Sequence, residues 1–418
     1  MPPNNSAERT RWWVMVALAG FALVSYMARA NISIAAEVMI PALGLTKVQM
    51  GQIFTSFLVG YAIFQVPGGV LGDRFGPRLT LGISALIWAA STLLTGLLPL
   101  LFSERILVSF VALWAIRFLL GASEATTFPV GNRAVRNWMP PHFRALGNSI
   151  MFMGTSIASA VTAPLVSRLM TDFGWQASFY VTAAPALLIG ILWLWLARDY
   201  PVATAPAFEP AIAIAPAPAP PAKALSVLLK ERNVMLLIAS YVSEGYVLFI
   251  FVFWMYIYLV EKRGFSMLRG GWVAAIPWIT ALALTPAGGI ACDRLARRRG
   301  RLWGAKVVVM IGYGLSGVML FLAAYAQSRS IAVGALSLSI ACLMSAESSF
   351  WSSAVHLAEG PVGLLSGIMN TAGILGGIVS TSLVPILAQH YGWGVALASG
   401  TLMAIFCVCL WMFIGGDN

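Results

Sequence analysis

Charge is what this sequence has least of. Of its 418 residues, 15 are Asp or Glu and 26 are Lys or Arg, so 10% are charged, where a soluble domain carries about a quarter. Hydrophobic residues make up 59%, and the mean hydropathy is +0.84. No water-soluble fold buries that much apolar surface, which excludes a soluble enzyme and a disordered chain. Cysteine is scarce as well. Cys292, Cys342, Cys407 and Cys409 include three in apolar runs and none at metal-ligand spacing. That excludes a disulfide scaffold and reads as four unpaired thiols, with no metal and no cofactor. A nucleophile–base pair and a phosphate-binding loop are also lacking, which leaves little room for a membrane enzyme.

Long apolar runs are what the chain has in abundance. A spanning helix needs about 20 mostly apolar residues. Six such runs fall at 12–36, 48–70, 79–100, 106–130, 145–169 and 177–197, and six more at 234–260, 268–291, 303–325, 331–356, 362–388 and 395–415. They are continuous rather than alternating, so helices are expected, not a barrel. The polar start, Met1 to Arg11, precedes a run too long for a signal-peptide core and without a small-residue cleavage site, so a retained first helix is expected. Between the sixth and seventh runs, residues 203–222 are built from Ala and Pro, which suits an extended linker and no helix. The expectation is an all-α membrane protein of twelve transmembrane helices in two six-helix bundles, 1–197 and 234–418, joined by a linker over 198–233.

The cations are unevenly placed. Seventeen of the 26 Lys and Arg residues lie on the N-terminal side and in the even-numbered loops, seven lie in the odd-numbered loops, and Arg29 and Arg117 lie inside helices. The positive-inside rule then puts both termini and the linker in the cytoplasm of a cell inner (plasma) membrane protein. It also explains the net charge of +11 by topology, with no nucleic acid as partner.

The two halves resemble each other. Gly68-Gly69-Val-Leu-Gly-Asp73-Arg74 recurs 220 residues later as Gly288-Gly289-Ile-Ala-Cys-Asp293-Arg294, and Phe173-Gly174-Trp175 recurs 218 residues later as Tyr391-Gly392-Trp393. Each half holds an even number of runs, so the halves share one orientation. This describes a transporter with its substrate site near the membrane midplane. The stretch Gly69-Val-Leu-Gly-Asp73-Arg74-Phe-Gly76-Pro-Arg78 resembles the loop motif of the major facilitator superfamily, and the resemblance covers the whole chain. We read Asp73, Arg74 and Arg78, with Asp293 and Arg294, as a conformational latch: the carboxylate suits a helix N-terminus and the arginines can pair across the cytoplasmic face of a bundle.

Ionisable residues inside helices cost roughly 2.5–3.5 kcal/mol each on insertion scales, so those that remain ask for a reason. Arg117 and Glu124 lie seven residues apart on one helix face, about 10 Å along the axis and too far for a direct pair. Each therefore needs another partner: an anionic substrate for Arg117, and a proton for part of a cycle for Glu124. A fixed charge network is the alternative. Arg29 is either a second cation of an anion site or a snorkelling side chain, with Asn31 beside it. The second half offers Glu244, Glu347 and His356, the hydroxyl-rich run Ser348 to Ser353 around Trp351, and Asn370. Asn370 is a ligand candidate or an interhelical hydrogen bonder, and the serines also suit helix packing. Glu244 and Glu347 are extra proton sites or hydrogen-bonded structural acids.

Four stretches jointly resemble the anion:cation symporter family, the branch of sialin, the vesicular glutamate transporters and bacterial sugar-acid symporters. They are Arg29-Ala-Asn-Ile-Ser, Gly60-Tyr61-Ala-Ile-Phe-Gln65-Val-Pro67-Gly-Gly, Arg117-Phe-Leu-Leu-Gly-Ala-Ser-Glu124 with Phe128-Pro129, and Gly367-Ile-Met-Asn370 with Gly376-Gly377. The resemblance implies substrate-linked roles for Arg29 and Arg117, a proton-coupling role for Glu124, and cavity positions for Tyr61, Ser348, Trp351 and Asn370. Ala28 departs from it, since bacterial sugar-acid members often carry an acid there, which leaves the proton stoichiometry open. The expected function is proton-coupled symport of a small organic anion by a monomer in the lipid bilayer. A drug antiporter of the same fold is the rival, but helix five lacks the Gly-Pro-x-x-Gly-Gly element usual in that group. A nutrient sensor would be expected to carry a long tail, and here only Gly416-Asp-Asn418 follow the last run.

Overall fold

The computed structural model describes residues 5–102, 106–139, 144–200, 230–357 and 362–415, and within them every regular element is helical. In chain order these are α1 (Asn5–Ala42), α2 (Lys47–Phe102), α3 (Ile106–Glu124), α4 (Thr127–Trp138), α5 (Arg144–Phe173) and α6 (Trp175–Leu196). There follow α7 (Arg232–Phe249), a π-helical turn at Ile250–Trp254, α8 (Met255–Glu261), α9 (Met267–Arg299), α10 (Arg301–Tyr325), α11 (Arg329–Leu357) and α12 (Val362–Met412). Ten helical stretches among the described residues are long and apolar enough to cross a membrane. Most of the linker expected over 198–233 lies outside the described residues.

The chain forms two compact units. One comprises residues Met1–Leu45 and Ser56–Ala217, the other Thr46–Thr55 and Pro218–Asn418. Glycine lets helices approach closely in both. In the first, Gly154 of α5 sits on the Ala19 carbonyl of α1, and Gly121 of α3 sits on the Phe57 carbonyl of α2. In the second, Gly376 of α12 sits on the Val242 carbonyl of α7, and Gly245 of α7 sits on Gly373. None of these positions has room for a Cβ, and small residues at helix contacts are the usual means of packing where lipid removes the hydrophobic drive. Aromatic side chains fill what remains: Phe21 meets Trp88 and Trp193 edge-on at 5.8 and 5.1 Å.

Long helices are broken at defined residues. α2 turns at Gly76 and α12 at Gly392, with φ of 80° and 84°. The run expected over 106–130 is also not one helix. It stops at Glu124, turns at Ala125 and Thr126, and resumes as α4. Pro129 explains the break, because its ring clashes with the carbonyl four residues back, that of Ala125, and offers it no N–H. The run expected over 234–260 is interrupted by the π-helical turn, where Phe253 stacks on Phe249 at 5.7 Å and on Phe54 at 4.8 Å.

Candidate functional site

The first unit brings Arg29, Tyr61, Arg117 and Glu124 together. Arg29 on α1 and Glu124, the last residue of α3, form an ion pair at 3.2 Å, with relative side-chain exposures of 8% and 0%. The separation of Arg117 and Glu124 holds as expected. The cation that Glu124 finds comes from another helix, as Arg29 of α1. The pairing removes the snorkelling alternative, because Arg29 is turned inward. Its guanidinium lies over the rings of Tyr26, Phe57 and Tyr61 at 4.6, 5.0 and 5.0 Å. Each such contact contributes about 0.5–2 kcal/mol where water is excluded.

Arg117 is 1% exposed and has no carboxylate of its own among the described residues. Nη1 donates to the Ala28 carbonyl at 3.2 Å and Nη2 to the Arg29 carbonyl at 3.4 Å, using lone pairs left over from the α1 helix ladder. Its Cζ lies 5.2 Å from the Phe57 ring, so one ring serves both arginines. Thus α3 holds α1 at residues 28 and 29 from two points two turns apart. Among the described residues the Nε atoms of both arginines are buried without a hydrogen-bond partner, and the Ser25 side chain of α1 lies beside the Glu124 carboxylate. Two arginines and one carboxylate leave the cluster one positive charge in excess, with spare donors for an anion. Tyr26 and Phe57 were not singled out from the sequence. Their signals were spacing: Tyr26 is three residues before Arg29 and Phe57 four before Tyr61, each on the same helix face.

Asn31 plays another part. Its Nδ2 donates to Thr182 at 2.9 Å, and its Oδ1 accepts from Ser178 at 2.9 Å, tying α1 to α6. An apolar cavity of about 520 Å³ in the same unit, lined by Phe64, Leu71, Ile83, Phe118 and Thr126, contains none of the four clustered residues.

In the second unit Ser348, Trp351 and Glu347 share α11. Glu347 Oε1 accepts from the Tyr241 hydroxyl and from Trp351 Nε1, both at 2.6 Å. Trp351 is 37% exposed and meets Tyr241 edge-on at 6.3 Å, while Ser348 is exposed. Asn370 on α12 is half-buried and makes no hydrogen bond among the described residues. Glu244 on α7 is 3% exposed.

Of the expected latch residues, Arg78 is the one with hydrogen bonds placed among the described residues. Arg78 donates through Nε and Nη2 to the Leu194 carbonyl, at 2.9 and 2.5 Å, and its backbone N–H to Asp199 Oδ1 at 2.7 Å. Its anionic partner is thus Asp199, which the sequence reading passed over. The Asp199 carboxylate also packs against Gly76, where a side chain would collide with it. Arg74 lies over Phe75 at 5.3 Å and Arg294 is exposed. The side chains of Asp73 and Asp293 lie outside the described residues. All four cysteines are free thiols, and among the described residues no group of His, Cys, Asp and Glu suits a metal ion.

Comparison with known proteins adds four findings. The family model of the Major Facilitator Superfamily matches residues 18–381. The hexuronate transporter of Bacillus subtilis is 32% identical over 365 residues, 85% of this chain and 83% of that protein. The probable galactarate/D-glucarate transporter GudP of Escherichia coli is 28% identical over 437 residues, covering 97% and 94%. Among solved structures, a bacterial homolog of the human lysosomal transporter Spinster, inward-facing and occupied, superposes with a TM-score of 0.79 at 15% identity, covering 97% and 96%.

Proposed function

Because the chain belongs to the Major Facilitator Superfamily, we propose that this multi-pass membrane transporter is a proton-coupled symporter of a small organic anion, a carboxylate or sugar acid, working by alternating access. The observation that carries the reading is Arg117: a fully buried guanidinium bonded only to main-chain carbonyls, beside an arginine that already has its carboxylate. A cation so placed is stable only with an anion to meet it for part of a cycle, and its planar fork suits a carboxylate. The relatives named for hexuronate and galactarate/D-glucarate transport support that substrate class. Arg29, Tyr61 and Arg117 with Ser348, Trp351 and Asn370 are the proposed substrate-binding set.

Glu124 is the proposed coupling residue. When ionised it holds Arg29. When protonated it releases Arg29, and both arginines face the anion. The buried charge is then one positive unit with neither ligand and one with a monoanion and a proton together. A proton alone would raise it to two, and an anion alone would set two carboxylates against the same arginines. The loaded and empty carriers are therefore the ones that move most easily. A cationic drug, the cargo of the rival antiporter reading, would meet a site already in excess of positive charge.

The finer membrane architecture belongs to the same proposal: twelve spans in two six-helix bundles, a monomer, both termini on the cytoplasmic face of the inner membrane. In its support, the last apolar stretch, Gly367–Met412, has 46 residues. At 1.5 Å per residue that is about twice the roughly 30 Å hydrocarbon core, and it is folded at Gly392.

Purified protein screened by thermal shift against glucuronate, galactarate, galactonate and a set of cationic drugs tests the substrate class, because a ligand that prefers the folded state raises the melting temperature. One or more of the acids should stabilise the wild type. Arg117→Ala should lose that shift, since charge-assisted hydrogen bonds of about 1.5–3 kcal/mol each disappear. Arg117→Lys should recover little of it. Stabilisation by the drugs alone would overturn the proposal, and a full response in the Lys variant would reduce Arg117 to a point charge.

A further inference from the structure

Two carboxyl groups of the second unit remain without a task. Glu244 on α7 and Glu347 on α11 lie close enough to interact electrostatically; the Tyr241 hydroxyl donates to Glu347, and the Tyr241 ring and Glu244 Oε2 meet at Gly373. Among the described residues neither forms an ion pair with Lys, Arg or His. The other titratable groups facing them are Tyr313 from α10 and Cys407 from α12. The described residues of α9, which also packs against α11, present none.

The hydrogen bonding is lopsided. Oε1 of Glu347 receives two donors, Tyr241 and Trp351. Oε2 is buried and receives none. A second observation points into the same place: Tyr313 is 0% exposed, its hydroxyl has no hydrogen-bond partner, and it lies within electrostatic reach of Glu244, Glu347 and Tyr241. Two carboxylates without a cation cannot both stay ionised in an apolar interior. One bound proton removes the conflict, and a hydroxyl that both donates and accepts lets the cluster hold it in more than one place.

We propose that Glu347 and Glu244 form a second proton-binding site, carried by the second unit, in which one transferable proton sits on the partnerless oxygen of Glu347 or on Glu244, with Tyr241 and Tyr313 as its hydrogen-bonding neighbours. The proton comes from bulk water on one side of the membrane and returns to bulk water on the other; no other bond is made or broken. Its role in transport rests on the symport reading above. Trp351 supplies the link, since its indole N–H, on the proposed substrate set, ends on Glu347. The arginine cluster of the first unit holds one carboxylate among the described residues, Glu124, so a second proton has to sit elsewhere. A proton at each site moves two protons with each anion, so transport of a monoanion carries one net positive charge.

The proton itself is the probe. Infrared difference spectra of the purified full-length Glu124→Gln protein should show, on stepping the pH, a carboxylic-acid C=O stretch that disappears as the pH rises. Glu244→Gln and Glu347→Gln should each shift that band, and the two together should abolish it. Glutamine keeps the acceptor for Tyr241 and Trp351, so the melting temperature of the Glu347→Gln protein should stay close to that of its parent and verify folding. In proteoliposomes, with Glu124 intact, the proton-to-anion ratio from reversal potentials should fall from two to one when Glu244 and Glu347 are both replaced by Gln. A band that survives the double variant, no band at all, or a band that never titrates would overturn the site; the last would mean a fixed, structural acid. Wild-type uptake that does not respond to a proton gradient would overturn the symport reading separately and leave the infrared result standing.

Discussion

Arg29 and Glu124 are 95 positions apart in the chain and 3.2 Å apart in the fold. Glu124→Gln should keep anion binding, because the neutral amide mimics the protonated acid and leaves Arg29 free for the ligand. Vesicles carrying it should exchange labelled for unlabelled substrate across the membrane. Their proton-to-anion ratio should fall from two to one, so accumulation driven by an inward proton gradient should drop well below that of the wild type. If they concentrate it as the wild type does, Glu124 is not the coupling acid. The residues of this cluster were legible one by one and their pairing was not. A helical spacing tells which side chains share a face, so Arg117 and Glu124 could be placed together on α3. It carries no information on which neighbouring helix meets that face, and Arg29 lies on α1. The bond from Trp351 to Glu347 was within reach, since positions four apart on a helix are neighbours. Tyr241 and Tyr313 were not, because they come from two other helices and look like ordinary core aromatics.

At the scale of the element, the close approach of α2 and α3 fixes where the arginines sit. Gly121 rests on the Phe57 carbonyl, and Gly60 in turn rests on the Phe118 carbonyl. Phe57 is the ring shared by Arg29 and Arg117. Gly121→Val should therefore push the two helices apart and destabilise the protein by about 1–3 kcal/mol, with loss of anion binding beyond what the lower stability explains. Gly314→Ala on α10 is the control: nothing lies within 4 Å of the added Cβ, so the melting temperature should hold or rise slightly, as expected for glycine replaced in a helix interior. Equal damage from both would mean that the contact of α2 with α3 is not what positions the site. The apolar runs located most helix centres in advance. Their interruptions were harder to read: Pro129 signals the stop after Glu124, whereas nothing in the string from Phe249 to Trp254 announces a π-helical turn.

At the scale of the whole molecule, the internal repeat appears in the backbone. All the positive-φ residues among those described are glycines, and they fall into pairs: Gly44 and Gly264 (63° and 64°), Gly76 and Gly300 (80° and 95°), Gly174 and Gly392 (85° and 84°). The partners are 220, 224 and 218 residues apart; the first and third match the offsets of the sequence anchors, and the second is four residues longer than the nearer of them. The close contacts pair as well, Gly154 on Ala19 with Gly376 on Val242. A repeat of this kind ties the topology of one half to that of the other. If both halves cross the membrane an even number of times, equivalent turns must face the same side. The proposed orientation, with the excess of Lys and Arg in the even loops inside, would put the turns at Gly44 and Gly264 outside and those at Gly76 and Gly300 inside. In a cysteine-free background, Ala42→Cys and Lys262→Cys should both react with an impermeant thiol reagent added to intact cells. Arg74→Cys and Arg299→Cys should react only after the membrane is opened, and so should a cysteine placed within residues 203–222. The full reversal of this pattern would overturn the orientation and leave the repeat intact. Labelling at Ala42 and not at Lys262 would do more, because it would make the repeat inverted and the number of spans in the first half odd.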